Sequence, residues 1–134
     1  MSSRHVDVLI VGAGPSGSAL AHHLARSGFS VALADKKAFP RDKPCGEFLS
    51  PQCRPYLDEL GVDRRLQTSG TRLVAGMQLH GHGHVASGGF AALPGIAHSQ
   101  HGYAVRREVL DEVLRQAACA HPEVQWLPRH DFVA

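Results

Sequence analysis

The sequence predicts an α/β fold with a parallel sheet, and three observations lead to this class. A β-branched apolar run, Val6–Val11, is followed at once by glycines at positions 12, 14 and 17. Apolar residues then recur with helical spacing over 16–27, and a second apolar run, Phe29–Ala34, comes next. A strand, a glycine turn, a helix and a second strand make a βαβ unit, whose two strands are parallel.

The elements of this unit each carry a local signal. Val6–Val11 suits a strand that is buried on both faces. The helix over 16–27 places Leu20 and Leu24 on one face, and Gly28 fits the position that follows a helix end. The first thirty-five residues are therefore the most regular part of the chain.

The middle of the chain is harder to assign. Lys36–Pro55 is rich in proline and in basic residues, which predicts a loop. A short helix is expected over 54–60, and residues 71–79 favour a strand that a glycine weakens. Residues 80–102 are rich in Gly and His and fit hairpins or an irregular loop equally well.

Regular signals return near the end of the sequence. Arg107–Ala120 has the apolar spacing of an amphipathic helix. Residues 124–127 read as a third parallel strand, and residues 131–134 as the start of another.

Composition limits the classes of function. The chain has 134 residues, of which 43% are hydrophobic and 19% charged, so disorder is not expected. A net charge of +2 gives no indication of nucleic-acid binding. The three cysteines, Cys45, Cys53 and Cys119, lack C-x-x-C spacing, which excludes a zinc ribbon and a disulfide framework and favours the cytoplasm. The run Val8–Val11 is too short for a transmembrane segment.

The glycine turn carries the functional signal. In the pattern Gly12-x-Gly14-x-x-Gly17, the first glycine permits a tight turn, the second lets a pyrophosphate approach, and the third allows the helix to pack closely on the strand. Asp35, after the second strand, can accept a hydrogen bond from a ribose hydroxyl. This Rossmann-like context predicts a dinucleotide site for FAD or NAD, and the Asp35 charge disfavours NADP.

Three segments resemble one family. Residues 7–21, with the glycine pattern, resemble the start of FAD-dependent oxidoreductases of the aromatic-hydroxylase type, which include flavin monooxygenases, halogenases and geranylgeranyl reductases. Residues 40–51, with Cys45-Gly46-Glu47-Phe48-Leu49-Ser50-Pro51, resemble the geranylgeranyl-reductase-like branch. Residues 107–111 resemble the family's R-x-x-L-D segment at the start of a helix.

The resemblance implies FAD as the cofactor and a set of residues that bind it. The implied set is Gly12, Ala13, Gly14, Pro15, Ser16 and Gly17 at the pyrophosphate, Asp35 and Lys36 at the adenosine ribose, Cys45 and Gly46 toward the isoalloxazine ring, and Arg107 reaching the cofactor. The resemblance implies a reductase or monooxygenase acting on a hydrophobic small molecule. No particular catalytic residue is indicated, and no metal site is expected.

The sequence departs from the family in one respect. Family members carry a Gly-Asp flavin motif far downstream, and no Gly-Asp pair occurs in residues 1–134. We therefore expect 1–134 to be the amino-terminal part of an FAD-binding domain, not fully competent alone, with 70–105 as a piece of the substrate-domain sheet. A non-catalytic nucleotide-binding module is the main alternative, and an NAD-dependent dehydrogenase is less favoured.

Expectations for the remaining residues are plainer. The outer side of the first strand should lack a neighbouring strand, so an exposed apolar edge and self-association, or a partner chain that completes the sheet, are expected. The basic residues 36, 37, 41 and 43 are read as a solvated loop in preference to a phosphate site. Cys45 is expected to pack rather than react, and His22-His23 to lie on the exposed side of the first helix.

Overall fold

The computed structural model describes residues 5–96 and 100–133. Its elements, in chain order, are β1 (Val8–Val11), α1 (Pro15–Arg26), β2 (Val31–Asp35), β3 (Phe48–Leu49), a 3₁₀ turn (Pro51–Cys53), α2 (Arg54–Glu59), α3 (Asp63–Gln67), β4 (Arg72–Val74), β5 (Gly76–Gly81), β6 (His84–Gly89), β7 (Gly102–Ala104), α4 (Arg107–Cys119) and β8 (Val124–Pro128). The chain divides into a first unit, Met1–Pro44 with Arg107–Ala134, and a second unit, Cys45–Arg106.

The first unit contains a parallel sheet in the order β1-β2-β8. The register sets Ile10 beside Leu33, and Leu33 beside Trp126. Parallel pairing of β1 and β2 around α1 confirms the predicted βαβ unit, and β8 confirms the predicted third strand. The α/β class is therefore the one that the sequence predicts.

One face of this sheet is covered by helices. The buried core there joins Ile10, Val31 and Leu33 of the sheet to three alanines of the helices, Ala21, Ala25 and Ala118. Alanine lets each helix lie close to the strands, because it adds a single methyl group to the interface. Val8, Leu24 and Trp126 pack against the rim of this core.

The edge of the sheet at β1 is open within the described residues. Leu9 and Val11 point away from the core and are 52% and 54% exposed. In the order β1-β2-β8, strand β1 has a neighbour on one side alone among the described residues. Strand β1 therefore carries exposed apolar side chains, as expected, and the self-association or partner chain expected at its edge stays a prediction.

The second unit is built from antiparallel pairs. Strand β7 lies between β3 and β4, and β5 pairs with β6 as a hairpin. Four polar side chains meet inside this unit: Arg54 and Gln67 donate to the carboxylate of Asp63, and the Tyr103 hydroxyl also donates to it. This closed cluster ties the helices α2 and α3 to β7.

Several sequence-based expectations need correction. The strand expected over 71–79 is two strands, because the chain breaks at Ala75 and pairs with different partners on either side. Within the predicted loop of Lys36–Pro55, β3 is a strand that the sequence does not predict, and α3 is not predicted either. Residues 131–133 form no strand, and Ala134 lies outside the described residues.

His22 is also placed wrongly by the sequence. It is 8% exposed, and its Nδ1 lies 3.2 Å from Nε2 of His121, in the segment that follows α4. His23 is exposed, as expected. No described helix is both long and apolar enough to span a membrane.

Candidate functional site

The glycine turn between β1 and α1 requires glycine at two positions. Gly12 has a φ of +102°, outside the range that L side chains readily adopt. A Cβ at Gly17 would overlap the carbonyl oxygen of Gly12 and lie 3.3 Å from Cγ2 of Ile10. The turn can therefore close only because neither residue has a side chain.

The N-terminus of α1 borders a cavity. Gly14 is the N-cap residue, Pro15 follows in the first turn, and in the described part of the chain no side chain caps this end. The first-turn N–H groups and the positive end of the helix dipole therefore favour an anion there. A Cβ at Gly14 would lie 3.5 Å from Nη2 of Arg41 and 4.0 Å from Nη2 of Arg107.

Asp35 holds the glycine turn in place. It is 6% exposed; its Oδ2 accepts a hydrogen bond from the Ala13 N–H at 2.9 Å, and its Oδ1 accepts one from the Lys37 N–H at 2.9 Å. Nε of Arg41 lies 3.7 Å from Oδ2. The residue that the sequence assigns to a ribose thus also braces the two segments beside it.

Two arginines share one buried carboxylate. Asp111 is fully buried, and its Oδ1 and Oδ2 accept hydrogen bonds from Nε and Nη2 of Arg107 at 2.8 and 3.0 Å. Nη1 of Arg41 lies 3.2 Å from Oδ2 of the same residue. The four side chains therefore alternate in charge, in the order Asp35, Arg41, Asp111 and Arg107.

The cavity has a volume of about 910 Å³ and is formed by residues of the first unit. It lies where the carboxyl ends of β1 and β2 meet the start of α1, the usual ligand position in parallel sheets. The lining residues are Ile10, Val11, Gly12, Gly14, Pro15, Ser16, Gly17, Asp35, Lys36, Lys37, Arg41, Asp42, Lys43, Pro44, Arg107, His130 and Asp131.

Most of the sequence-predicted site residues meet at this cavity. Gly12, Gly14, Pro15, Ser16, Gly17, Asp35, Lys36 and Arg107 line it. Ala13 is buried beside it, where its N–H donates to Asp35. Cys45 and Gly46 belong to the second unit and are exposed there, so their predicted role toward a flavin ring stays a prediction.

Arg41 is the main site residue that sequence reasoning missed. Its side chain is 11% exposed and lies between two carboxylates, so the solvated-loop interpretation is wrong for it. Its guanidinium also lies 4.7 Å from the ring centre of Phe39, and Phe39 meets Trp126 edge to face at 5.4 Å. The aromatic residue two positions before Arg41 was the available signal that this loop docks on the core.

The segment after β8 also contributes. The His130 N–H donates to the Asp35 carbonyl at 3.0 Å, and His130 Nδ1 lies 2.8 Å from the Pro128 carbonyl. These bonds tie the segment to the end of β2, so His130 and Asp131 reach the cavity. The sequence analysis interprets residues 131–134 as the start of a strand and gives His130 no role, so it misses both residues.

Metal and thiol chemistry find little support in the described residues. Among them, no group of three or more His, Cys, Asp or Glu side chains could hold a metal ion. None of the three cysteines takes part in a disulfide, and burial raises the pKa of Cys119, which disfavours a reactive thiolate.

Comparison with known proteins agrees with this geometry. The family described as "FAD binding domain" matches residues 5–134. A menaquinone reductase of Mycobacterium tuberculosis is 38% identical over 112 residues, which cover 84% of this chain and 26% of that protein. A flavin-dependent halogenase of Armillaria mellea is 42% identical over 64 residues, covering 48% of this chain and 12% of that protein.

Solved structures give the same result at the level of the fold. The myxobacterial chondrochloren halogenase CndH superposes with a TM-score of 0.78 at 26% identity, over 90% of this chain and 28% of that one. PqsL of Pseudomonas aeruginosa, at 20% identity and a TM-score of 0.80 over 94% of this chain and 34% of that one, shares the fold. The chain spans about a quarter of the length of the curated menaquinone reductases it matches. Since the family match covers residues 5–134, the chain belongs to the FAD binding domain family, and its cofactor is FAD.

Proposed function

We propose that the chain binds the adenosine and pyrophosphate parts of FAD in an oxidoreductase that acts on a hydrophobic small molecule. The proposal is supported mainly by the groups that surround Gly14. There the N-terminus of a 12-residue helix and two guanidinium groups border a space that a side chain would fill. Two phosphates of a dinucleotide match that charge and that space.

The roles proposed for individual residues follow from their places on the cavity. Gly12, Gly14, Ser16 and Gly17 surround the pyrophosphate, with the Ala13 and Pro15 backbone completing the turn, and Arg107 reaches the cofactor from α4. Asp35 and Lys36 lie where the adenosine ribose would be held.

Asp35 keeps the capacity to bind a ribose. Each carboxylate oxygen can accept two hydrogen bonds, and each accepts one from a backbone N–H in this structure. The carboxylate also disfavours a 2′-phosphate, in agreement with FAD rather than NADP. Bound FAD supplies hydride and oxygen chemistry, while the residues of this chain bind the cofactor and orient it.

The second unit fits a role beside the flavin and the substrate. We propose that Cys45 and Gly46 lie toward the isoalloxazine ring and that residues 70–105 belong to a substrate-binding sheet. The β5–β6 hairpin supports this, because Met77 and Leu79 are 54% and 69% exposed and would be covered by further strands. A partner segment at the open edge of β1, or self-association there, is proposed on the same physical ground.

The sequence comparison favours the reductase direction. There the menaquinone reductase similarity covers 84% of this chain and the halogenase similarity 48%. A hydrophobic, quinone-like acceptor is therefore the first substrate class to test. We propose a cytoplasmic location as well, which the three cysteines outside any disulfide support.

Calorimetric titration of the purified chain with FAD, ADP and NAD tests the proposal. We expect FAD to bind and to remain with the protein as a yellow complex, with an affinity above those of ADP and NAD. Equal affinities for FAD and ADP would favour the non-catalytic nucleotide-binding module, and preference for NAD would favour a dehydrogenase. A chain that binds none of the three contradicts the proposal.

A further inference from the structure

Asp111 is fully buried, although it is charged and lies on α4 within the FAD-binding unit. It receives Nε and Nη2 of Arg107 at 2.8 and 3.0 Å, and Nη1 of Arg41 lies 3.2 Å from its Oδ2. The two arginines come from separate segments, the loop after β2 and the first turn of α4. One carboxylate therefore contacts two cationic groups that come from distant parts of the sequence.

Both guanidiniums lie next to Gly14. Their Nη2 atoms are 3.5 Å (Arg41) and 4.0 Å (Arg107) from the position that a Cβ of Gly14 would take. Two guanidiniums placed this close repel each other, so each would turn away without an anion between them. Asp111, which is buried and does not line the cavity, supplies that anion.

We infer that Asp111 is a positioning residue that presents Arg41 and Arg107 as a pair to the pyrophosphate. The inference rests on the proposed function, because it concerns the same cavity. The ligand chemistry it implies is a nucleoside diphosphate, whose two phosphates accept charge-assisted hydrogen bonds from the paired guanidiniums.

The direction in which anion binding changes when Asp111 loses its charge separates a positioning role from a purely electrostatic one. If Asp111 acted through its charge alone, its removal would strengthen anion binding, because a negative charge near the phosphates would be lost. If it acts by positioning, its removal weakens anion binding, because the guanidiniums are no longer held at Gly14. Asp111→Asn keeps the shape of the side chain and removes the charge, so it distinguishes the two cases.

The experiment compares ADP with adenosine, using calorimetry or ligand-observed NMR on the full chain. In Asp111→Asn we expect the Kd of ADP to rise about 10-fold. The size is taken by analogy from residues that orient metal ligands, whose loss weakens metal binding about 10- to 100-fold. The Kd of adenosine should stay within about twofold, since adenosine has no phosphate for the arginines to bind. The ratio of the two constants is a readout that a general loss of structure would not change.

A matched control lies one residue along the same helix. Glu112 receives Nε and Nη2 of Arg115, both at 2.8 Å, and neither residue lines the cavity. Glu112→Gln thus breaks a similar acid–arginine pair on α4 and should leave the Kd of ADP unchanged. A Glu112→Gln effect as large as that of Asp111→Asn overturns the inference.

Other outcomes are equally decisive. Unchanged or tighter ADP binding in Asp111→Asn, or an equal loss of ADP and adenosine binding, overturns the inference while leaving the proposed function standing. Wild-type protein that binds neither ADP nor FAD overturns the proposed function itself. If Asp111→Asn does not fold, Arg41→Gln takes its place: it must raise the Kd of ADP several-fold and spare adenosine, and an unchanged Kd overturns the inference.

Discussion

The two units of this chain each contain an arginine–aspartate pair with two hydrogen bonds, and the surroundings of these pairs differ. In the second unit, Arg54 donates to Asp63 at 2.8 and 2.8 Å; in the first, Arg107 donates to Asp111 at 2.8 and 3.0 Å. The Arg54 side chain is 4% exposed and the Arg107 side chain 16%. The same pairing is closed in one unit and open to a cavity in the other.

The closed pair is satisfied by protein groups. The Asp63 carboxylate also accepts from the Tyr103 hydroxyl and from Gln67, both at 2.7 Å, and Arg54 lies 4.5 Å from the ring centre of Tyr103. Burial alone would raise the pKa of Asp63, but the hydrogen bonds from Arg54, Tyr103 and Gln67 outweigh it and hold the pKa below 3.8. The closed pair therefore serves to stabilise the fold. In the open pair, the arginine lines the cavity and can also contact a ligand there.

The largest expected effect comes from opening the closed pair. Asp63→Ala leaves the Arg54 charge buried without its carboxylate, and we expect the free energy of unfolding to fall by about 3–5 kcal/mol. Urea denaturation measures it, and Asp58→Ala, an exposed acid on α2, is the control. Equal losses in the two variants would show that the buried pair adds no more stability than an exposed acid does.

A smaller loss is expected from crowding the glycine turn of the first unit. Gly17→Ala places a methyl group against the Gly12 carbonyl, which should cost about 1–3 kcal/mol of stability and abolish tight FAD binding. Gly81→Ala, in β5 of the second unit, meets no atom within 4 Å and serves as the control. Thermal unfolding and FAD titration together report both effects, and unchanged FAD binding would contradict the site.

Removal of one hydroxyl from the closed cluster should have a milder effect. Tyr103→Phe removes the hydrogen bond to Asp63 and should cost about 1 kcal/mol. Tyr56→Phe changes the chain's other tyrosine, which is 67% exposed, and should cost nothing measurable. Equal stability of the two variants would show that the cluster contributes little.

We also expect the stability of the protein to depend on pH in the alkaline range, because of Tyr103. Burial and the hydrogen bond to Asp63 raise the pKa of Tyr103 to about 12, above its unfolded value of 10.0. Its contribution to stability is therefore fully present below pH 10 and is lost as the pH rises through 12. Denaturation curves between these values should show a loss in the wild type that is reduced in Tyr103→Phe.

The smallest effect is expected in mild acid, and it should be confined to the first unit. Burial, together with the nearby His121, His23 and Arg26, lowers the pKa of His22 below 6.5. Its contribution is present above pH 6.5 and is lost as the pH falls through the folded value, so the first unit should weaken on acidification.

Site-resolved hydrogen exchange can measure this difference between the units. Protection of α1 should decrease as the pH falls below 6.5, after correction for the pH dependence of intrinsic exchange, while the closed cluster around Asp63 keeps its protection until below pH 3.8. His22→Asn should flatten the response, whereas His23→Asn, which removes a smaller influence on the pKa of His22 from an exposed position, should change it much less. A response that is identical in both units would contradict the assignment to His22.

Local signals account for what the sequence predicts well. The run Val6–Val11, the glycine spacing and Asp35 lie within one βαβ unit, so their meaning can be read from neighbouring residues. The helix at 107–120 and the strand at 124–127 follow from periodicity in the same way. These elements place most of the predicted cofactor-binding residues at the cavity.

Charge pairing over long separations accounts for what the sequence does not predict. Arg41 is buried because Asp111, seventy positions later, lies beside it, and Tyr103 reaches Asp63 across forty positions. A basic residue in a loop carries no mark of such a partner, so Arg41 reads as solvated. His22 follows the same rule, since its cover comes from His121.

The ring contact between Phe39 and Trp126 has an optical consequence. The chain contains one tryptophan, so its indole emission comes from a single position. Trp126 lies edge to face on Phe39, and the ring of Phe39 also contacts the Arg41 guanidinium at the cavity. A ligand that displaces Arg41 changes the environment of the one native fluorophore, which makes occupancy of this cavity readable in unlabelled protein, including by ligands that absorb no visible light.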